Sequence, residues 1–508
     1  MSVGSAMKRP IVVAAILLAI FISALEATVI ATAMPTVVGD LGGLELYGWV
    51  SAVYMLAATI TIPVYGKLAD LFGRKPILLT GLAIFVAGSV GSGLAHSMGM
   101  LIAMRAVQGF GAGGIQPVAL TIVGDLFPPA QRARLQGLIG AVWGVAGIAG
   151  PLVGGLIVRA LSWRWVFYVN VPVGGLAAVL LGVGLVEPAR EPGPRPPIDF
   201  LGVALLTTAV LALLAGAHGN AGWLWPTAAL FAVLFVLHER RHRAPLVPMD
   251  LMVRPLIAVS SINGAVVGAV MSATVIYVPL YVASVLFGTP TQAGLAVAPM
   301  LVGWPLASTL SGRILLTTGP RPLVRVGFSI VAVASVLLDA LITNGAGTTP
   351  LLGAMFVLGT GMGLANTALI IAVQESVGFA QRGVVTANSM FFRSIGGALA
   401  VGMLGAVMAH ILAGRVPEDV LDALLGPMHG RGLDPATLRG LGATLHEGMA
   451  PIFHVLAGIS VLGAVSGLFF PRVSLTDQAS KPAQTPTSGP SASRATASPS
   501  SAGTGTTP

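Results

Sequence analysis

The chain has 508 residues, of which 55% are hydrophobic and only 9% charged, with a mean hydropathy of +0.89. A soluble globular chain carries roughly 25% charged residues, so most of this one is excluded from facing water. The absence of Cys rules out disulfide frameworks, thiolate metal sites and Cys nucleophiles, and the net charge of +9 sits singly or in small groups between apolar runs, the pattern of membrane topology and not of a nucleic-acid-binding face.

Crossing ~30 Å of hydrocarbon takes about 20 largely apolar residues at ~1.5 Å rise each. Fourteen stretches qualify: 11–34, 47–66, 76–96, 98–122, 135–158, 164–186, 199–217, 222–238, 256–283, 289–312, 321–343, 350–375, 383–411 and 450–471. Barrel-type alternation is absent, and a helix satisfies every backbone group internally, as lipid demands. The expected fold is therefore an all-α integral membrane protein of 14 transmembrane helices. Ala31-Thr32-Ala33 imitates a signal-cleavage site, but Glu26 interrupts the apolar run and thirteen spans follow, so the first span is expected to be retained.

With Lys8 and Arg9 in the cytoplasm and sides alternating, 20 of the 27 Lys and Arg residues fall inside, five outside and two within spans. The Lys/Arg bias of short loops sets orientation, which predicts a multi-pass protein of the cell membrane with both termini cytoplasmic. The outer loop 412–449 carries two short amphipathic patterns, around Val416–Leu425 and Asp434–Leu445. Residues 473–508, poor in large apolar groups, read as a disordered cytoplasmic tail.

The chain also repeats itself. Ala27-Thr28-Val29-Ile30 recurs as Ala273-Thr274-Val275-Ile276, and Gly66, Gly73 and Pro76 recur as Gly312, Gly319 and Pro322, all at an offset of 246. Further along the offset is 250: Gly109, Gly111 and Gly113 recur as Gly359, Gly361 and Gly363, and Ala130-Gln131-Arg132 as Ala380-Gln381-Arg382. Two homologous six-helix bundles follow, 11–186 and 256–471, in parallel pseudo-repeat, with an inserted helix pair and cytoplasmic linker at 187–255. Such pairs frame a central cavity that rocking opens to either side.

The run Gly66-Lys67-Leu68-Ala69-Asp70-Leu71-Phe72-Gly73-Arg74-Lys75 resembles the cytoplasmic signature between helices two and three of the major facilitator superfamily. Arg105-Ala106-Val107-Gln108-Gly109 adds to it, and Gly147-Ile148-Ala149-Gly150-Pro151-Leu152-Val153-Gly154-Gly155 is similar to the superfamily's antiporter signature. Leu25-Glu26-Ala27-Thr28 through Pro35 resembles the helix-one motif of the fourteen-helix drug:proton antiporter branch, with Glu26 where that branch usually carries Asp. The resemblance implies a non-enzymatic efflux transporter, exporting hydrophobic, often cationic, small molecules against inward proton flow, without a cofactor. The alternative it leaves open is an uncoupled facilitator, or an exporter of a metabolite, lipid or antibiotic. The partners expected are the small hydrophobic substrate, protons and the bilayer, with no nucleic acid, and the chain is expected to be a monomer.

Depth arithmetic places two charges in the membrane at the same level. Glu26 lies eight residues before Met34, about 12 Å from the outer end of its span, and Arg105 seven residues after Met98, about 10 Å in. A lone charge there costs at least ~2.5 kcal/mol, and a partner removes much of that cost. The two are expected to meet, with Gln108 on the face of Arg105. A guanidinium holds a carboxylate ionised while apolar burial pushes it towards neutral, so helix movement can switch the proton of Glu26. A static pair that only fixes packing is the competing reading. Gly66, Asp70, Gly73, Arg74 and Lys75 are expected to form a cytoplasmic salt-bridge gate. Gly144, Gly147, Gly150, Pro151, Gly154 and Gly155 form a stripe that serves as a hinge or as a packing seam. Cavity candidates are Gln108, Gln116, Asn170, Asn263, Tyr277, Trp304, Asn366, Asn388 and Arg393, the last resembling an Arg of the same antiporter branch.

Two motif matches fail their context. Gly109, Gly111 and Gly114 satisfy G-x-G-x-x-G inside an apolar helix with no preceding strand, which excludes a dinucleotide site. His238-Glu239-Arg240-Arg241-His242 spells H-E-x-x-H, the signature of a membrane zinc protease, but it sits among arginines with no evident third ligand, so no metal is expected.

Overall fold

A computed structural model describes residues 3–43, 46–187, 198–218, 222–412, 415 and 435–473. The expected tail and the first amphipathic pattern of the outer loop lie outside the described residues, as does most of the linker before residue 198. Among the described residues every regular element is helical. In chain order these are α1 (Val3–Leu41), α2 (Tyr47–Phe72), α3 (Arg74–Gly93), α4 (Met98–Leu126), α5 (Pro129–Ala160), the short α6 (Trp165–Tyr168), α7 (Asn170–Gly184), α8 (Phe200–His218) and α9 (Leu224–Glu239). There follow the short α10 (Met249–Met252), α11 (Pro255–Ser284), the short α12 (Pro290–Leu295), α13 (Ala298–Thr318), α14 (Pro320–Thr343), α15 (Thr348–Glu375), α16 (Arg382–Leu412) and α17 (Pro435–Leu468).

Twelve spans among the described residues are long and apolar enough to cross a membrane, one of them made of α6 and α7 together. α5 passes as a pair, Pro129–Gly147 and Leu152–Ala160, bent by 43°. The break contains Pro151, whose missing N–H leaves the carbonyl of Gly147 without its helical partner. The eighth expected span departs from expectation: α9 has 16 residues, about 24 Å of rise, short of the hydrocarbon thickness. The sixth span, α6 and α7, runs on through Val169, whose dihedrals stay helical, and the second amphipathic pattern of the outer loop is continuous with the last span as the first turns of α17. Large apolar side chains such as Leu152, Leu156, Val179, Val183 and Leu234 are exposed, which suits a surface solvated by lipid and not by water.

The elements end where the backbone allows it. α2 runs straight through most of the Gly66–Lys75 signature, and the turn into α3 is Gly73 alone, at φ 110°. Gly319, at φ 75°, makes the corresponding turn between α13 and α14. A Cβ is disfavoured in both conformations.

α4 packs against α2 and α3, and α15 against α13 and α14. α1 packs on α5 and α7, and α11 on α16 and α17; α5 with α13, and α2 with α16, join the two groups, while α8 and α9 pair with each other. The glycines of α4 make the close approaches: a Cβ on Gly111 would lie 2.3 Å from the backbone N of Phe85 and 2.5 Å from the Gly81 carbonyl. Backbone atoms cannot step aside, so Gly111→Ala is expected to destabilise by at least about 1–3 kcal/mol. The readout is a lower midpoint of heat unfolding in detergent, against an unchanged midpoint for Gly175→Ala, which faces open space. Equal midpoints would contradict this packing.

Candidate functional site

α1 carries Glu26 and α4 carries Arg105 to one point between them, and both side chains are 1% exposed. Arg105 Nη1 donates to Glu26 Oε1 and, at 2.7 Å, to Gln108 Oε1, while its Nε donates to the Val50 carbonyl at 3.2 Å. The guanidinium lies 4.2 Å above the Tyr54 ring. The other oxygen of Glu26 accepts from Asn170 Nδ2 at 2.6 Å, and Asn170 Nδ2 and Gln108 Nε2 both donate to Ser89 Oγ. Ser89 Oγ in turn donates to the Phe167 carbonyl at 2.9 Å. An ion pair is thus enclosed in a polar cluster drawn from six helices, α1, α2, α3, α4, α6 and α7. The pairing matches the depth arithmetic. Gln108 lies on the face of Arg105, Asn170 of the expected cavity residues binds Glu26 directly, and Ser89 and Tyr54 are members that sequence reasoning missed.

The second polar assembly lies at the end of the bundle where α2 turns into α3, here termed the gate end. Asp70 pairs with Arg74 at 2.9 Å and accepts from the backbone N–H groups of Gly383 and Val384 at 3.0 and 2.8 Å, at the N-terminus of α16. Arg74 also bonds Asp125 at 2.9 Å, donates to the Phe379 carbonyl at 2.6 Å and lies 4.1 Å over the Phe379 ring. Asp125 bonds Arg382 at 2.9 Å, and Arg132 bonds Glu375. Lys75 stays out of this network: its Nζ donates to the Gly182 carbonyl, and its N–H bonds Glu187. Gly66 lies inside α2, where a Cβ would meet Ala387 at 2.3 Å and the Gly383 carbonyl at 2.9 Å. Asp125, Arg132, Glu375 and Arg382 were not among the expected gate residues. The signal was present, because the 250-residue offset that pairs Arg132 with Arg382 also pairs Asp125 with Glu375. Further along α2, Thr59 bonds Ser394 of α16 at 2.7 Å.

Along α5 the small-residue stripe changes partners. A Cβ on Gly137, Gly140, Gly144 or Gly147 would face Thr309, Pro305 or Leu301 of α13, whereas one on Gly150 or Gly154 would face Thr28 or Thr32 of α1; Gly155 faces open space. Thr28 Oγ1 donates to the Ala146 carbonyl at 3.0 Å across the α1–α5 seam. At the opposite end of the bundle Asp40 accepts from Trp163 and Arg164, both at 2.9 Å, and these bonds hold its carboxyl below the usual range.

The remaining cavity candidates divide. Asn263 Nδ2 donates to the Val259 carbonyl and Ser466, Tyr277 to the Val401 carbonyl and Asn388 to Ser261, so these three serve the seams between α11, α16 and α17. Trp304 faces Gly140 of α5. Gln116, Asn366 and Arg393 make no side-chain hydrogen bond or ion pair among the described residues. Finally, the structure brings Asp199 beside the H-E-x-x-H motif: a carboxylate oxygen of Asp199 and ring nitrogens of His238 and His242 lie within 4.8 Å of one another.

The sequence profile of the Major Facilitator Superfamily matches residues 16–401. The chain belongs to the major facilitator superfamily. Multidrug transporter protein MdtP of Bacillus subtilis is 35% identical over 459 residues, spanning 88% of this chain and 84% of that protein. Multidrug resistance protein 3 of the same organism is 31% identical, covering 82% of each, and efflux pump aflT of Aspergillus parasiticus is 30% identical, covering 87% of each. Among solved structures, the superfamily's proton:xylose symporter XylE superposes with a TM-score of 0.60 at 15% identity, over 91% of this chain and 95% of that one. The human organic anion transporter MFSD10 gives 0.59 at 16%, over 89% and 99%. This superfamily member is therefore a multi-pass membrane transporter and not an enzyme, which removes the protease reading of His238, Glu239 and His242.

Proposed function

We propose that this superfamily member is a proton-coupled antiporter of the cell membrane that exports hydrophobic, often cationic, small molecules by alternating access. The observation that carries the reading is the Glu26–Arg105 pair, a carboxylate enclosed with a guanidinium in the interior of a membrane protein. Ionised Glu26 favours loading from the cytoplasm, and its protonation from outside releases the cargo and resets the carrier. Arg105 bonds the acid in the conformation seen, and rearrangement of α1 against α4 parts the two in the other. The efflux and multidrug designations of its relatives support the cargo class.

Fourteen spans in two six-helix halves with an inserted pair remain the architecture of this proposal. The offsets support it: Gly109 and Gly113 lie against the carbonyls of Tyr54 and Ala58, and their counterparts Gly359 and Gly363 against those of Met300 and Trp304. The exchange of partners, Asp125 with Arg382 and Glu375 with Arg132, is what two related halves meeting at one end produce. With the gate end cytoplasmic, as the Lys/Arg distribution favours, the conformation is one closed to the inside.

The test is reconstitution into vesicles with an imposed pH step, screening lipophilic cations and neutral drugs while recording internal acidification. Substrate and protons are expected to move in opposite directions, each driving the other. Substrate flux indifferent to the pH step would reject the coupling.

A further inference from the structure

We propose that the inserted helix pair carries a divalent transition-metal site, with Zn²⁺ as its ion and Asp199, His238 and His242 as its ligands. This inference does not depend on the transport mechanism. The two imidazoles lie one helical turn apart where α9 ends, because the N–H of His242 still bonds the carbonyl of His238 at 2.9 Å, and the ring centroids are 5.2 Å apart. Asp199 comes from the other helix of the pair. It caps α8 by accepting from the N–H of Gly202 at 2.8 Å, which fixes its carboxylate opposite both rings. His238 Nε2 lies 2.8 and 3.0 Å from the two Asp199 oxygens, and His242 Nδ1 lies 3.6 Å from Oδ2. Tetrahedral zinc with ligand bonds of ~2.0–2.1 Å needs ligand atoms about 3.3 Å apart, a spacing these distances bracket. Two imidazoles and one carboxylate are a ligand set that suits zinc, leaving a fourth position for water.

Two further observations call for a cation here. His242 Nδ1 accepts the N–H of Ala244 at 3.3 Å, so that nitrogen carries a lone pair and not a proton while facing an acceptor oxygen of Asp199 at 3.6 Å. Glu239 is 2% exposed, and its Oε1 has no hydrogen-bond partner. That oxygen crowds the same glycine as the ligand carboxylate: a Cβ on Gly202 would lie 2.7 Å from Glu239 Oε1 and 2.5 Å from Asp199 Oδ2. Lys67 of α2 is in Coulombic range of both acids and hydrogen-bonds neither, so it offsets charge without satisfying the oxygen. Bound zinc would place a dication on Asp199, with Glu239, which crowds the same glycine, as an outer carboxylate. Access is open, since the side chains of His238 and His242 are 23% and 26% exposed. Arg240, Arg241 and Arg243 lie next to the ligands in sequence and weaken the attraction without occupying a ligand position.

The experiment uses full-length protein without a polyhistidine tag, stripped with EDTA in detergent and titrated with zinc chloride, then with cobalt chloride. One zinc per chain after desalting is expected, together with the intense visible absorption of tetrahedral cobalt and a rise in unfolding temperature on zinc addition. His238→Ala/His242→Ala is expected to lose the stoichiometric zinc and the cobalt spectrum, and His242→Gln alone to weaken affinity by at least ~100-fold. The unfolding temperature of each metal-free variant, matched to that of the metal-free parent, separates ligand loss from misfolding. Zinc bound equally by the parent and the double variant, or no stoichiometric zinc on the parent, would overturn the site.

Discussion

Proton-driven export is expected to fall to background in Glu26→Gln, while binding of a lipophilic substrate stays measurable. The amide is nearly isosteric and can keep an oxygen towards Arg105, but it carries no proton that can leave at any accessible pH. Arg105 retains the Gln108 side chain, the Val50 carbonyl and the Tyr54 face, which soften the loss of its counterion. Arg105→Gln is the more damaging single change, because it leaves a buried carboxylate held only by Asn170; removing one partner of a buried pair costs about 3–5 kcal/mol. The double variant Glu26→Gln/Arg105→Gln restores neutrality and is expected to recover unfolding temperature without recovering export. If the pair only fixed packing, that double variant would transport normally in the vesicle assay, and export by Glu26→Gln in a pH gradient would sink the coupling role outright.

How much of this was legible in sequence depends on the range of each interaction. Glu26 and Arg105 were found because a bilayer converts residue count into depth, so two charges on different helices can be compared through one coordinate. Asn170 was read as a cavity residue because it is polar within an apolar span; nothing local told that its amide faces Glu26 on α1, 144 residues away. The gate signature was plain, yet its partners on α15 and α16 lie some 250 to 310 residues away, and no local period points to them. Only the internal repeat carried that information, through Asp125 and Glu375. Asp199 stands 39 residues before His238, on the other helix of a pair whose relative placement nothing local specifies. Lys75 was expected at the gate on charge alone, but one position along a helix from Arg74 turns its side chain about 100° away, to α7.

Asp70→Ala is expected to open the gate end. The carboxylate holds two backbone N–H groups at the start of α16, where the helix dipole favours an anion, and each hydrogen bond to a charged group contributes roughly 1.5–3 kcal/mol. Losing both moves the closed–open equilibrium by about 3 kcal/mol, more than 100-fold, enough to depopulate a closed state that leads by only a few kcal/mol. The chain has no Cys, so Arg134→Cys and Thr317→Cys can be spin-labelled with no native thiol to remove. Both positions are exposed at the gate end of α5 and α13, whose backbones approach at Ala133 and Gly312. The inter-label distance is expected to lengthen in Asp70→Ala, and identical distance distributions in variant and parent would refute the latch. An independent wedge works from the opposite side: a Cβ on Gly383 would sit 2.6 Å from Asp70 Oδ1 and 2.7 Å from the Gly66 carbonyl. Gly383→Ala removes no charge, so the same lengthening there ties the effect to the Asp70–α16 contact itself and not to the altered electrostatics of the signature.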